Sequence, residues 1–381
     1  VIKKTATKLL PSNYLVAIEQ YKLPIDAAKQ IANETAKYPK LSVSESGDNV
    51  TVRSSKVNFV FNKTTGVVSS YKVDGTEYFN KGFGIQPNFW RAPNDNDYGN
   101  GGPHRLQVWK QSSKNFNVID TKTEIVDEKA VVETTYLLAA GHLYKIIYTV
   151  NPSGVVKTDI EFFSTDIEEE QIEASEATLM ATFSPEAKEA RIASSSIEVP
   201  RIGVRFRLPQ KMNKVEYFGR GPGENYNDRA SGSKVGRYKT TAEDMYFPYV
   251  RPQENGHRSD TRWIALIDKK GLLIVADETV GFNALRNSVE DFDSEEATHR
   301  PYQWNNFSSE EIAERNDANA KNKLRRQTHI NDIIPQDYVE VCVDMLQQGV
   351  AGYNSWGART LPEYSIPANQ TYKWGFTLVP I

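Results

Sequence analysis

An all-β fold built as a large antiparallel sandwich is what this sequence predicts, and three observations carry the prediction. From Leu41 onward, short runs rich in Val, Ile, Thr, Tyr and Phe recur every 8 to 14 residues. Most of them alternate apolar and polar side chains, the period of a strand with one buried face. Between them gather Gly, Pro, Asn and Asp, which tolerate the backbone of tight turns.

Taken in order, the elements begin with a segment that stands apart. Val16–Pro24 reads as a strand leaving some earlier structure, and Ile25–Ala32 as a weakly amphipathic linker turn. The chain opens at Val1 without a methionine, so it is expected to be the C-terminal part of a longer polypeptide. Residues 1–40 then end one domain and residues 41–381 form the next. In the second, Asn49–Arg53, Val57–Phe61 and Val67–Val73 are strands, with turns at Lys63–Gly66 and Asp74–Gly75. Val131–Leu138, Tyr144–Val150 and Val155–Phe162 follow, the last two joined by the turn Asn151–Gly154. Val204–Leu208, Val215–Phe218, Trp263–Ile267, Leu272–Ala276 and Tyr372–Leu378 complete the set. Many evenly spaced strands of this kind argue for a sandwich. One helix is expected at Ser308–Ala318, where Ser308 and Glu311 form a capping box.

Composition narrows the partners. The 381 residues carry 46 basic and 49 acidic side chains, with a pI near 6.1. That balance leaves no electrostatic footprint for nucleic acid or an anionic membrane. No apolar run approaches 18 residues, so no transmembrane helix is expected. Cys342 is the single cysteine, which excludes an internal disulfide. It lies in the alternating run Tyr338–Asp344 and reads as a small buried hydrophobe.

The chemistry concentrates in Gly221–Arg229 and Tyr249–Gly256, dense in glycine, carboxylates, amides, arginines and tyrosines, with hardly an aliphatic. Loops so polar face solvent or converge on one another and on a polar ligand. Gly219–Arg229 resembles the GRGPxENYxDR segment in the C-terminal domain of glycoside hydrolase family 2 β-galactosidases. Asn88–Asp97 resembles that domain's FWRAPTDND, Arg251–Gly256 its RPQENG, and Ser355–Gly357 with Pro362–Tyr364 its closing SWG and PEY. Four segments in the family's order make the resemblance specific over residues 80 to 381.

The resemblance implies a β-supersandwich of the galactose mutarotase type, preceded by the last strand of an immunoglobulin-like sandwich at Val16–Pro24. It implies a retaining β-galactosidase acting on terminal β-D-galactosides, lactose included, with both catalytic glutamates in a barrel domain that this chain lacks. No catalytic residue is therefore assigned here. Trp356 is implied to stack on the sugar at the mouth of the active site, with Asn354 beside it. Tyr98, Gly99 and His104 are implied to border the substrate. Ala351–Asn354 departs from the family's usual GGDD, and the Gly-rich loop after Asp97 is shorter than in longer members. The β-galactoside and the barrel are the expected partners, with a homo-oligomeric parent in the bacterial cytoplasm or periplasm. Magnesium and sodium are expected in the parent's other domains, with no cofactor in this segment.

Read from the residues alone, several of these groups have a structural explanation. Asp95, Asn96 and Asp97 fit a turn in which Asx side chains bind backbone N–H groups, although alternating carboxylates also ligate divalent cations. Glu224, Asp228, Arg229, Arg251, Glu254 and Asn255 are expected to tie loops together through hydrogen-bonded ion pairs. The five histidines show no metal-ligand spacing. Two further functions stay open. An aldose 1-epimerase-like enzyme needs a histidine and a glutamate at one sugar ring, for which His257 and Glu254 are the candidates. A non-catalytic carbohydrate-binding module needs only affinity.

Overall fold

The computed structural model describes residues 1–23, 38–164, 197–293, 329–354 and 357–381. The helix expected at Ser308–Ala318 and the linker turn at Ile25–Ala32 lie outside these residues. The chain divides into two compact units, Val1–Lys37 and Tyr38–Ile381. In the first unit, β1 (Ile2–Lys3) pairs antiparallel with β2 (Tyr14–Leu15). The Val1 ammonium group donates to the Ala17 carbonyl at 2.7 Å. The strand expected over Val16–Pro24 does not form in residues 16–23. Val16, Ile18, Tyr21 and Leu23 are exposed.

The second unit contains two antiparallel sheets. The smaller is a meander of β3 (Ser42–Ser46), β4 (Asn49–Arg53), β5 (Val57–Asn62), β6 (Val67–Val73) and β7 (Thr76–Glu77). The larger has twelve strands among the described residues. They are β8 (Gln86–Asn88), β9 (Phe116–Val126), β10 (Lys129–Leu138), β11 (Leu143–Val150), β12 (Val156–Phe162) and β13 (Arg201–Pro209), then β14 (Lys214–Gly221), β15 (Lys234–Thr241), β16 (Arg258–Ile267), β17 (Gly271–Leu285), β18 (Tyr338–Gln347) and β19 (Tyr372–Pro380). The main path runs β15-β14-β16-β17-β19-β12-β11-β10-β9. β17 creates a branch because it is 15 residues long. Its Leu272–Ala276 half pairs with β19, and its Gly281–Leu285 half with β18. β18 in turn pairs with β13, which carries β8.

The alternation seen in sequence is what buries one face of each strand. β5 and β12 bury every second residue and leave the others half-buried. β13 departs from this, with Arg201–Phe206 buried throughout, as a strand covered on both faces must be. The two sheets share one core, where Phe59 meets Tyr148 at 5.5 Å and Phe79 meets Phe206 at 5.6 Å. Burying an aromatic or aliphatic side chain of this size contributes roughly 1.5–3 kcal/mol each. Two of the buried tyrosines, Tyr71 and Tyr136, satisfy their hydroxyls with turn carbonyls. Tyr71 donates to Gly154 at 2.6 Å and Tyr136 to Gly66 at 2.8 Å. Cys342 is buried, as its alternating run predicted, and burial pushes its thiol well above the usual range. Among the described residues, no helix is long and apolar enough to cross a membrane.

Candidate functional site

The loops at one end of the larger sheet enclose a cleft of about 490 Å³. Three of the four motif segments line it, joined by the loop after β18. Asp95 and Asn96 come from the loop after β8, Tyr226 and Arg229 from the loop after β14, and Arg251 and Glu254 from the segment before β16. Ala351 and Gly352 come from the loop after β18.

Side chain to backbone bonds hold these loops in place. The first loop turns into a short helix, α1 (Asp95–Gly99). Asn94 caps it by accepting from the Asp97 N–H at 2.9 Å, while the Asp97 carboxylate accepts from the Asn94 N–H at 3.1 Å. The Asx turn expected at Asp95–Asp97 is thus a helix cap. Arg91 binds Asp97 at 3.0 Å and reaches the Gln348 and Gly349 carbonyls at 2.5 and 3.1 Å. Asp228 accepts from the N–H groups of Val350 at 3.0 Å and Ala351 at 2.7 Å. Glu224 accepts from Gly256 N–H, from Arg229 and from the Tyr249 hydroxyl. Asn255 accepts from the Phe247 N–H at 3.2 Å. Arg251 lies over the Tyr98 ring at 4.1 Å and within 3.9 Å of Asp95. The charged residues of the motifs are therefore occupied in fixing loop to loop.

Beneath the cleft sits a fully buried arginine. Arg201 donates to Glu254 at 3.2 Å, to the Gln347 side-chain oxygen at 2.8 Å and to the Trp90 carbonyl at 3.2 Å. Its Nε lies 3.3 Å from Asp344 Oδ1. The second oxygen of Asp344 lies 3.9 Å from His257 Nε2. Burial raises the Asp344 carboxyl to about 7 against the pull of Arg201. Burial lowers His257 to about 3, with Arg201, Arg258 and Arg91 adding to the shift. A chain of buried ionisable groups thus runs from Glu254 in the cleft to His257 behind it.

The family described as "Beta galactosidase small chain" matches residues 53–378. This chain belongs to the β-galactosidase small-chain family. It is 30% identical over 374 residues to a β-galactosidase of Priestia megaterium, covering 97% of this chain and 30% of that one. It is 32% identical over 263 residues to a β-galactosidase of Lactococcus lactis, covering 67% of this chain and 24% of that one. A third, from Streptococcus thermophilus, is 24% identical over 387 residues, covering 100% of this chain and 31% of that one. The chain spans less than a third of the length of these relatives. Among solved structures it is similar to a galactose 1-epimerase from Lactobacillus acidophilus, with a TM-score of 0.44 and 8% identity, covering 90% of this chain and 98% of that one.

The small-chain site residues named from the sequence fall in several places. Trp356 lies outside the described residues. The described residues Gly352, Asn354 and Gly357 around it pack on the α1 segment. With its amide turned to satisfy both partners, Asn96 donates to the Asn354 carbonyl at 3.0 Å and accepts from Gly352 N–H at 3.1 Å. A Cβ on Gly357, whose φ is +101°, would run into the Gly99 backbone. Asn354 and Gly99 are exposed beside the cleft. His104 is exposed on α2 (Gly102–Arg105), outside the cleft lining. Tyr98, expected to border the substrate, is instead 5% exposed beneath Arg251, because its ring serves as the platform for that guanidinium.

Glu254 lines the cleft, but His257 does not. His257 stacks on the inner side of Tyr226, at 5.2 Å between ring centres, and lines a separate hollow. Sequence reasoning missed Arg201 and Asp344, the centre of the buried chain. The available signal was a charged residue inside an apolar strand, Arg201 heading Ile202–Val204 and Asp344 following Val341–Val343.

Proposed function

We propose that this chain is the C-terminal segment of a retaining family 2 β-galactosidase that hydrolyses terminal β-D-galactosides such as lactose. In this reading the segment walls the mouth of the active site, and the barrel domain of the parent, with its two catalytic glutamates, docks on the cleft. One observation carries it. Among the described residues of the second unit, the exposed large hydrophobic Val250 lines this cleft, and Tyr353, Phe247, Ile334 and Leu361 sit on chain segments that run into it. Val250 is 80% exposed, Tyr353 68%, Ile334 58%, Phe247 49% and Leu361 46%. Val250 lines the cleft, Tyr353 follows the lining residue Gly352, and Ile330 N–H bonds to the Val250 carbonyl near Ile334. Leu361 follows Thr360, which donates to the same Asp228 that holds Val350 and Ala351. An apolar rim around a polar cleft is the surface expected where another domain packs.

The cleft itself offers the isolated chain little to hydrolyse with. Glycoside hydrolysis uses two carboxylates about 5 to 10 Å apart, one of them able to attack or activate water. Of the carboxylates lining the cleft, Glu254 is bound to Arg201 and Asp95 stands at the exposed start of α1. The segment supplies shape and sugar contacts, including Trp356 and Asn354, with Gly99 and His104 near the entrance. We place the magnesium and sodium of the parent in its other domains. Among the described residues, no three His, Cys, Asp or Glu side chains come together as a metal would need. The parent is further proposed to be a homo-oligomer.

A chimera tests this reading. This chain replaces the matching C-terminal part of the Priestia megaterium β-galactosidase, and lactose hydrolysis is compared with that of the same enzyme truncated before the junction. Hydrolysis restored at least a hundredfold over the truncated enzyme is expected. A chimera that folds yet cleaves lactose no faster than the truncated enzyme would refute the reading.

A further inference from the structure

Behind the loop that carries Tyr226 lies a second concavity. Because Tyr226 and His257 stack face to face, that loop acts as a partition. Tyr226 and Arg229 face the cleft, while Asn227 and Ala230 line a hollow of about 290 Å³ that includes His257 and Gln347. The hollow opens into a groove of about 410 Å³ across β12, β17 and β19, the two sharing Thr279, Val280 and Met345. Each has about the volume of a small-ligand site.

Among the described residues, the lining of the two carries five carboxylates against three cations, Lys145, Lys373 and Arg220. Lys157 binds Asp159 at 2.6 Å and Asp277 at 2.7 Å, Lys373 binds Glu161 at 2.8 Å, and Arg220 binds Asp260 at 2.8 Å. Glu278 adds one more exposed carboxylate. Cations outnumbered by carboxylates leave no positive field for a phosphate or a polyanion. They leave many fixed acceptors and donors, which suit an uncharged molecule rich in hydroxyls.

Both ends of the groove carry the remaining chemistry. At one end the half-buried Trp374 ring lines the wall, with its indole nitrogen turned inward out of solvent. An indole face is a rigid, weakly polar platform for sugar C–H groups. At the other end, His257 and Gln347 are 2% and 3% exposed. The Nε2 of each has no hydrogen-bond partner among the described residues. His257 Nδ1 donates to the Asn225 carbonyl at 2.9 Å, so the neutral ring keeps Nε2 as an acceptor. The Gln347 side-chain oxygen is taken by Arg201, and its Nε2 remains a donor. Gly281, which lines the hollow, puts no side chain over the imidazole. Buried polar atoms left unmatched are costly, and a hydroxyl, at once donor and acceptor, answers both.

We propose that this groove is a binding site for an uncharged sugar, separate from the motif-lined cleft, with Trp374 as the stacking platform and His257 and Gln347 as hydroxyl partners. The proposal stands on the groove alone and does not require the docked barrel.

Saturation-transfer NMR on the full chain tests it, with methyl β-D-galactopyranoside and methyl β-D-glucopyranoside as probes and D-glucuronate as the charged control. At least one neutral probe is expected to saturate, and glucuronate to bind at least tenfold more weakly. Thr279→Trp plugs the shared waist from an exposed position and is expected to abolish the signal without burying new bulk. Trp374→Ala is expected to weaken binding at least tenfold, while Arg251→Ala, in the cleft, leaves it unchanged. The proposal is overturned if neither probe saturates, if Thr279→Trp binds like the parent chain, if glucuronate binds more tightly, or if only Arg251→Ala removes the signal.

Discussion

Replacing Arg201 with methionine is expected to lower the stability of the second unit by about 3–5 kcal/mol, the usual cost of stranding a buried charge. Arg201 is fully buried and is the only described cation in direct contact with both Asp344 and Glu254. Methionine fills part of the volume but gives the two carboxylates nothing to face. It also strands the Trp90 carbonyl and the Gln347 side-chain oxygen, which Arg201 now satisfies. The affected groups lie on β13, β18, the segment before β16 and the loop after β8, so the loss should register as global unfolding. Urea denaturation followed by tryptophan fluorescence measures it. Adding Asp344→Leu to Arg201→Met should recover part of the loss, because one of the stranded charges is gone. A change below about 1 kcal/mol for Arg201→Met would mean the network is not held by its arginine.

The pair formed by Asp344 and His257 should make stability depend on pH in two opposing ways. Asp344 titrates near 7 in the fold and near 3.8 when unfolded, so the folded chain holds an extra proton between those values. Its contribution is therefore full below about pH 4 and is lost as pH rises through 7. His257 is lowered to about 3 from 6.5, so the unfolded chain binds the extra proton in that window. Its contribution is full above 6.5 and is lost as pH falls toward 3. Each is worth on the order of 4 kcal/mol across its window, and in the intact chain they largely cancel. Single variants separate them. Asp344→Asn should lose stability steadily from pH 7 to pH 4, and His257→Gln should gain it over the same range. The surrounding cations Arg201, Arg258 and Arg91 and the carboxylate Glu254 are common to both variants. Parallel pH profiles for the two would contradict the assignment.

Much of the architecture was legible in the sequence, for a physical reason. Strands with one buried face alternate, and those read from the chain at Asn49–Arg53, Val57–Phe61, Val131–Leu138 and Tyr144–Val150 all form. Strands at the edges did not announce themselves. β9 and β15 end the two sides of the larger sheet, and Lys234–Thr241 is mostly polar because little of it needs burying. Val16–Leu23 misled in the opposite sense, since it reads as a strand and none forms over residues 16–23. The cleft was legible as motifs, because loops that must bind one another's backbones need Asn, Asp, Glu and Arg at fixed positions. Tyr98 was named from the family resemblance, and nothing in the sequence signals that its ring lies beneath Arg251. The network under the cleft was not legible. Arg201, Glu254, His257 and Asp344 come from four distant segments, and only pairing of β13 with β18, and of β18 with β17 beside β16, brings them together.

The most direct test of the account is a proton NMR time course of the purified chain with lactose and with freshly dissolved α-D-galactose, reading the anomeric signals. Lactose is expected to stay intact, and the galactose anomers to equilibrate at the rate seen without protein. Cleavage of lactose by the chain alone would contradict it, because the carboxylates that attack and protonate the glycosidic bond would then have to lie within these 381 residues.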